Sequence, residues 1–218
     1  METLFVIGDS ISCYYGVHLE KMLSGLMAYD RKGGSHRLAD LDDCTDGVNG
    51  GDSSMVLTYL TAVVDQDWFR PDILLLNCGI HDSKRNQETG ELQIPLCVYQ
   101  TNLNQIVSLA QQRHILPIWV RTTPLNPNSR KPAEAVTWHE REDIDDYNAA
   151  ADRIMTDRHV PIIDLFSFTR NLGEDIYLNG TDHVHFNERA AAQQAAFLAG
   201  GVLGKPGPMN LNEGESVS

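Results

Sequence analysis

The sequence predicts a three-layer α/β/α fold in which helices cover both faces of a central, mostly parallel five-stranded sheet. Apolar runs of strand length alternate with longer segments of helical period, and the runs are nearly continuous in Val, Ile and Leu. This alternation is typical of a parallel sheet, and strands without polar positions are covered on both faces. A length of 218 residues with 42% hydrophobic content indicates one globular domain with a substantial core.

Short aliphatic runs predict the strands of this sheet, four of them clearly and one weakly. The clear strands are residues 3–8, 72–77, 115–121 and 161–165, and the weak one lies near residues 37–41. The carboxyl ends of parallel strands meet at one edge, where ligands bind in open α/β sheets. Most of the unusual polar residues follow the predicted strands directly, so we expect the functional site at this edge.

Helical period predicts the covering layers, over residues 14–29, 54–67, 96–113, 143–158 and 187–198. Asn187 is a suitable N-cap for the last of these helices, and Gly200-Gly201 is a suitable stop. Beyond this point the composition changes to Gly, Pro, Asn, Glu and Ser. We therefore expect a single domain over residues 1–200 and a flexible tail over residues 201–218.

Charge and composition exclude several classes of function. A net charge of −13 argues against binding nucleic acid or anionic membranes, and it disfavours polyanionic substrates unless a local basic patch intervenes. No apolar stretch approaches the roughly 20 residues that span a membrane. The start, Met1-Glu2-Thr3, lacks the basic region of a signal peptide, so a cytoplasmic protein is expected.

The cysteines do not predict a metal site or a disulfide framework. Cys13, Cys44, Cys78 and Cys97 are widely spaced and contain no C-x-x-C pair, so we expect small buried apolar residues. No cofactor is predicted.

Ser10 is the candidate nucleophile because it directly follows the first predicted strand, at the expected start of a helix. There its hydroxyl would lie at the sheet edge, among the backbone N–H groups of the next turn. An isolated Gly-Asp-Ser is more often a helix N-cap, and this alternative stays open from the motif alone. Ser12 is a weaker candidate.

A base and its orienting carboxylate are predicted near the other end of the chain. The spacing Asp-x-x-His lets one tight turn bring the carboxylate of Asp182 to one ring nitrogen of His185, with the other nitrogen directed at Ser10. In the alternative, Asp182 caps a turn and His185 caps the final helix. His183 is a second candidate for the base, although it lies next to Asp182.

Taken together, these segments resemble the SGNH (GDSL-type) serine hydrolases, over about residues 3–200. Gly8-Asp9-Ser10 resembles the first block of that family, Asp182-His183-Val184-His185 its last block, and Asn49–Ser53 its glycine block. The resemblance implies a flavodoxin-like SGNH hydrolase fold, with Ser10 as nucleophile and Asp182 and His185 as its partners.

The resemblance also implies an oxyanion hole, formed by Ser10, Gly51 and His81. Gly51 matches the family glycine better than Gly50, but the sequence leaves both open. His81 stands where the family has asparagine, and an imidazole N–H can still donate a hydrogen bond. Asp82 beside it is a candidate for fixing the state of that ring, and a purely structural role for His81 is the alternative.

The resemblance therefore implies a serine esterase acting on a small-molecule or carbohydrate ester, and a polar site favours a short acyl group such as acetyl. A lipase or thioesterase of longer acyl groups is the alternative. Two further possible functions are a non-catalytic carbohydrate-binding protein and a metal-dependent hydrolase. The metal ligands would come from His81, Asp82, Asp182, His183 and His185.

One long polar segment remains outside these motifs. Residues 122–139 are rich in proline and are predicted to form a lid or a wall for the substrate. Trp138 in this segment is a candidate for stacking on a sugar. Trp119 is expected in the core, and Arg121 is expected to bind a carboxylate or to pair with an acidic residue.

Overall fold

A central parallel sheet organises the protein, which is described by a computed structural model over residues 1–34, 47–178 and 182–205. The strands are β1 (Thr3–Ile7), β2 (Ala28–Arg31), β3 (Ile73–Leu76), β4 (Lys84–Asn86), β5 (Leu116–Val120), β6 (Thr137–His139) and β7 (Ile162–Ile163). Five of them form the main sheet in the order β2-β1-β3-β5-β7, and every neighbouring pair is parallel. The short strands β4 and β6 form a separate antiparallel pair.

Helices cover both faces of the main sheet, which confirms the predicted three-layer fold. The helices are α1 (Ser10–Leu23), α2 (Ser53–Val63), α3 (Leu96–Gln112), α4 (Arg141–Asp157), α5 (Leu165–Arg170) and α6 (Glu188–Leu203). Side chains from α1, α5 and α6 share one hydrophobic cluster, and those from α2, α3 and α4 share the other. Alternate residues of one strand enter the two clusters, as Phe5 and Val6 of β1 do. Burial on both faces explains the continuous apolar runs.

The edge strand β2 differs from the prediction. Residues 14–29 were predicted as one helix, but α1 runs from Ser10 to Leu23 and Ala28–Arg31 is a strand. The sequence Ala-Tyr-Asp-Arg has no aliphatic run, and it becomes a strand because its backbone pairs with β1 at the edge of the sheet. The weak strand predicted near residues 37–41 lies outside the described residues.

The final helix also differs, because α6 continues through Gly200 and Gly201 to Leu203. Asn187 caps its start as predicted, accepting a hydrogen bond from the Ala190 N–H at 3.0 Å. A Cβ on Gly201 would lie 2.7 Å from Cδ1 of Ile163, so this glycine permits close packing against β7 and does not end the helix. Residues 206–218 of the predicted tail lie outside the described residues.

The cysteines were expected to be buried, and no membrane-spanning segment was expected. Cys13 and Cys78 are buried and Cys97 is exposed, while Cys44 lies outside the described residues. Across the described ranges, no helix combines the length and the apolar character that crossing a membrane requires.

Candidate active site

Ser10 is the first residue of α1, directly after β1, and its neighbour caps the helix. Asp9 accepts hydrogen bonds from the N–H groups of Ile11 and Ser12 at 3.0 and 3.3 Å. Asp9 therefore caps the helix, which was the alternative role considered for Ser10. The Ser10 hydroxyl can bond elsewhere. Burial raises the pKa of Asp9, and the two N–H donors offset only part of this rise, so that the pKa is about 6. Ser12, the weaker candidate, is fully buried and its hydroxyl donates to the Asp9 carbonyl.

Ser10, His185 and Asp182 form one chain of hydrogen bonds. Ser10 Oγ lies 2.8 Å from Nε2 of His185, and His185 Nδ1 lies 2.9 Å from Oδ2 of Asp182. A carboxylate only accepts, so Nδ1 carries the proton and donates to Asp182. In a neutral ring Nε2 then accepts the hydroxyl proton of Ser10, which is the arrangement that a base for this serine requires.

The turn at residues 182–185 holds this arrangement. Oδ1 of Asp182 accepts from the N–H groups of Val184 and His185 at 2.9 and 3.0 Å, so the carboxylate caps the turn and also binds the imidazole. The pKa of Asp182 is lowered overall. Partial burial acts to raise it, but the hydrogen bonds to the carboxylate have the larger combined effect. Asn126 anchors the same turn from outside, donating to the carbonyl oxygens of Asp182 and His183 at 3.1 and 2.8 Å.

His183, the second candidate for the base, belongs to a different chain of hydrogen bonds. Its Nε2 lies 2.8 Å from Nδ1 of His139, and Nε2 of His139 lies 2.8 Å from the Ile80 carbonyl oxygen. Because a carbonyl only accepts, His139 donates through Nε2, and in a neutral ring its Nδ1 accepts from His183. Trp138 stacks on His183 with ring centroids 4.0 Å apart, where sequence analysis suggested a sugar. This chain connects the turn at residues 182–185 to the loop after β3.

Burial keeps the two imidazoles of this chain neutral. It lowers the pKa of His139 to about 3, with smaller contributions from the charges of His183 and Lys84. Burial also lowers the pKa of His183. Because neutral rings are the ones with the donor and acceptor that the chain requires, the connection persists at neutral pH.

The glycine loop packs against the loop that carries Ser10. The Gly50 N–H donates to the Gly8 carbonyl oxygen at 2.7 Å, and a Cβ on Gly50 would lie 3.0 Å from that oxygen. The Gly51 N–H donates to Oδ1 of Asn49 at 2.9 Å. Both glycines that sequence analysis left open for the oxyanion thus have their N–H groups bonded within the protein. Lys32, at the end of β2, holds the loop through the carbonyls of Gly47 and Asn49 at 2.7 and 2.9 Å.

His81 and Asp82 separate into different surroundings. His81 lines the cavity beside Ser10, as an oxyanion donor must. Asp82 is fully buried, and both of its carboxylate oxygens lie 3.0 Å from the Ser53 backbone nitrogen at the start of α2. Burial raises the pKa of Asp82 to about 7. The suggestion that Asp82 fixes the state of the His81 ring is therefore wrong, because its carboxylate is bonded to α2 instead.

A cavity of about 310 Å³ opens in front of Ser10 and His185. Most of the residues around it are polar, and they come from five separate segments of the chain. The lining residues are Ser10, Ile11, Asn49, Ile80, His81, Lys84, His139, Val184 and His185. Lys84 and His139 come from β4 and β6, which sequence analysis missed because strands of three residues have no measurable period.

The remaining sequence candidates lie away from this cavity. Trp119 is in the core, with 1% of its surface exposed, as expected. Arg121 forms ion pairs with Asp164 at 2.9 Å and with Asp152 at 3.3 Å, so its charge is paired with acidic side chains of the protein. In the part of the chain that the structure describes, no three His, Cys, Asp or Glu side chains are grouped as ligands for a metal ion.

Solved structures with the same fold include esterases and lipases. The psychrotrophic esterase EstA from Pseudoalteromonas sp. has a TM-score of 0.64 at 16% identity, covering 94% of this chain and 98% of its own. The lipase/acylhydrolase from Enterococcus faecalis has a TM-score of 0.67 at 15% identity, covering 94% of this chain and 96% of its own. The acetyl xylan esterase AlAXEase has a TM-score of 0.64 at 14% identity, covering 90% of this chain and 97% of its own. At these identities the likeness shows a common fold.

Comparison of the sequence with family models is more specific. No curated protein matches the chain. The model of the GDSL-like lipase/acylhydrolase family matches residues 6–193, which includes the segments of Ser10, His81 and His185. This match covers most of the chain and agrees with the resemblance found in its motifs. The protein therefore belongs to the GDSL-like lipase/acylhydrolase family and is a hydrolase of ester bonds.

Proposed function

We propose that the protein is a serine esterase that cleaves a carboxylic ester through an acyl-enzyme on Ser10, with a short acyl group such as acetyl. The observation that carries this proposal is the continuous chain from Ser10 Oγ through His185 to Asp182, with 2.8 and 2.9 Å between the bonded atoms. A nucleophile, its base and an orienting carboxylate are the groups that acyl transfer from an ester requires.

In the first half of the reaction, Ser10 Oγ attacks the ester carbonyl carbon while its proton passes to Nε2 of His185. Asp182 keeps the proton on Nδ1 and stabilises the imidazolium that forms. The tetrahedral intermediate collapses, the C–O bond to the alcohol breaks, and His185 returns the proton to the leaving oxygen. Water then attacks the acyl-enzyme, again with His185 as the base, and releases the acid and free Ser10.

The negative oxygen of the intermediate needs donors on the other side of Ser10. We assign the Ser10 N–H, at the first turn of α1, and an N–H of the His81 ring to this role. The Gly51 N–H is the third candidate, and it reaches the substrate only after Oδ1 of Asn49 releases it. Asn49 lines the cavity, so a bound substrate lies close enough to displace that bond.

A short acyl group fits the cavity better than a long one. The cavity at Ser10 has about 310 Å³, and its lining combines six polar side chains with those of Ile11, Ile80 and Val184. A larger cavity of about 470 Å³ lies nearby, lined by apolar side chains and by four charged ones, and none of its lining residues belongs to the Ser10–His185–Asp182 chain. The packed side chains of Ile80, Leu125, Ile144 and Val184 lie between the two. A carbohydrate ester is one substrate of suitable size, and a structural neighbour is named as an acetyl xylan esterase.

Labelling with a fluorophosphonate followed by peptide mapping tests the nucleophile. We expect an adduct on Ser10 that disappears in Ser10→Ala and in His185→Ala. The matched controls are Ser24→Ala at the exposed end of α1 and His18→Ala, whose ring pairs with exposed Glu188 at 3.1 Å. Both controls should label normally. An adduct on Ser12, or labelling that survives loss of Ser10, contradicts the proposal.

Turnover of p-nitrophenyl esters of increasing chain length tests the acyl preference. We expect acetate or butyrate to be cleaved with a higher kcat/KM than octanoate, because packed side chains separate the cavity at Ser10 from the larger one in the described part of the chain. A preference for octanoate would favour the alternative lipase or thioesterase function. Turnover should also survive EDTA, and its loss on chelation would favour a metal-dependent hydrolase.

A further inference from the structure

Lys84 is placed in the active-site cavity by the pairing of two short strands. In the antiparallel pair of β4 and β6, Lys84 lies directly opposite His139, and Arg85 lies opposite Trp138. Directly opposed residues of a pair share one face, and successive residues alternate between faces. Lys84 and His139 therefore both line the cavity beside Ser10, while Arg85 lies on the other face.

The two neighbouring cations differ in what they bind. Arg85 is neutralised within the protein, because its Nε and Nη2 atoms bond to the two carboxylate oxygens of Asp143, each at 2.6 Å. The Lys84 ammonium has neither a hydrogen bond nor an ion pair in the described part of the chain. Its backbone is held, since its N–H donates to the His81 carbonyl at 3.3 Å and its carbonyl accepts from the Gln93 N–H at 2.7 Å. The strand thus fixes the position of Lys84 without supplying an anion for it.

Among the described residues, three carboxylates near the site already have other partners. Asp82 accepts from the Ser53 N–H, Asp182 binds His185, and Oδ2 of Asp52 accepts from the side chain of Gln93. The other polar side chains around the cavity belong to serine, asparagine and histidine. The charge of Lys84 nevertheless reaches into the site, because it contributes to lowering the pKa of both His139 and His183, after burial.

We infer that Lys84 binds an anionic group of the substrate, so that the preferred substrate is an ester that also carries a carboxylate or phosphate close to the scissile bond. This inference rests on the proposed function, since it places the ester at Ser10. An ammonium has three donors and no acceptor, and an oxyanion from the substrate supplies the partner that the described protein residues do not. The anion belongs either to the acyl part or to the alcohol part of the ester.

The overall charge of the protein makes this preference local. With a net charge of −13, the protein repels anions at long range, and Lys84 attracts them only inside the cavity. Added salt screens exposed charges over about 10 Å at 0.1 M and screens a half-buried pair less. Salt should therefore affect binding of an anionic ester through two opposing effects, whereas a neutral ester should be insensitive to it.

The test compares matched esters that differ by one methyl group, which removes the negative charge. For the acyl side these are mono-p-nitrophenyl succinate and its methyl ester, and for the alcohol side 4-acetoxybenzoate and its methyl ester. We expect at least one anion to be preferred over its neutral partner. In Lys84→Met that preference should fall about 10- to 100-fold, which is the usual strength of a charge-assisted hydrogen bond, while the neutral esters change less than about twofold.

Lys21→Met is the matched control because it removes the same charge from the exposed last turn of α1, at the far end from Ser10. It should leave the preference unchanged. Equal loss for charged and neutral esters in Lys84→Met, or parent protein that prefers both neutral esters, overturns the inference while leaving the proposed esterase intact.

A binding measurement separates this inference from the proposed function. Ser10→Ala does not turn over either ester, so calorimetry on this variant reports the affinity alone. Tighter binding of an anionic ester to Ser10→Ala, lost in Ser10→Ala/Lys84→Met, supports the role of Lys84 even if the parent cleaves none of the four esters. Equal affinities for the charged and neutral partners overturn it, whatever the turnover.

Discussion

The two sides of the cavity are built in different ways. On one side, Ser10, Asp182 and His185 come from two short motifs, each held by hydrogen bonds to its own backbone. On the other side, Lys84 and His139 come from strands of three residues that pair across a long sequence separation. The first side contains the groups proposed to make and break bonds, and the second contains Lys84, which is proposed to select the substrate, and His139, which is proposed to position the turn of His185. A local motif can therefore specify the chemistry, while non-local pairing specifies what the chemistry acts on.

The largest effect is expected on the motif side, from Asp182→Asn. An amide in place of the carboxylate can donate to Nδ1 of His185 and so favour the wrong tautomer, in which Nε2 no longer accepts from Ser10. We expect kcat to fall by about 10⁴ with little change in KM. The exposed Asp175, which pairs with Arg189, gives the control Asp175→Asn, which should keep full activity. Activity of Asp182→Asn above a tenth of the parent value would contradict the assignment.

A smaller effect is expected from His81→Ala, which removes a proposed donor to the oxyanion. The expected loss is about 10² to 10³ in kcat with KM nearly unchanged, because the donor acts mainly in the transition state. His81→Asn restores the residue that the family pattern has at this position, and it should retain most of the activity. If both variants changed KM alone, His81 would be a residue for ground-state binding.

The connection between the two sides is tested by His139→Ala. Loss of this ring breaks the link from His183 to the Ile80 carbonyl, so the turn at residues 182–185 loses one anchor on the loop after β3. We expect kcat to fall by roughly tenfold to a hundredfold through looser placement of His185. His139→Gln keeps a donor and an acceptor, and it should recover part of the loss. Equal activity of the two variants would show that the hydrogen bonds of His139 do not position the turn.

The smallest effect on catalysis is expected from Asp82→Asn, whose main consequence is for stability. The pKa of Asp82 is raised from 3.8 to about 7, so between these values the folded protein holds a proton that the unfolded chain has lost. This contribution to the free energy of unfolding is present at low pH and disappears as pH rises towards 7, at about 1.4 kcal/mol per pH unit. Relative to the parent, Asp82→Asn should therefore become more stable as pH rises.

Urea unfolding of the parent and Asp82→Asn across this range measures the difference. The raised pKa of Asp9 acts in the same direction, and the lowered pKa of His139 acts in the opposite direction, since its stabilisation is lost as pH falls below 6.5. Both groups are present in the two proteins, so their contributions cancel in the comparison. A difference in unfolding free energy that is independent of pH would show that Asp82 titrates normally.

Much of the fold and part of the site could be predicted from the sequence, because local patterns carry that information. Continuous aliphatic runs predicted β1, β3, β5 and β7, since strands buried on both faces tolerate no polar position. Asp-x-x-His predicted the turn of Asp182 and His185, because three residues suffice to bring the two side chains together. The cap at Asn187 was predicted for the same local reason.

The remaining features depend on contacts that no local pattern contains. Polar β2 is a strand because β1 offers it a pairing edge, and α6 passes through two glycines because Gly201 packs on Ile163. The sequence by itself determined the layers of the fold and the chemistry proposed at Ser10. Only the tertiary structure decided that Asp82 binds α2, that the glycine N–H groups bond internally, and that Lys84 lines the same cavity as Ser10. Each of these outcomes follows from non-local pairing and packing, to which periodicity and spacing are insensitive.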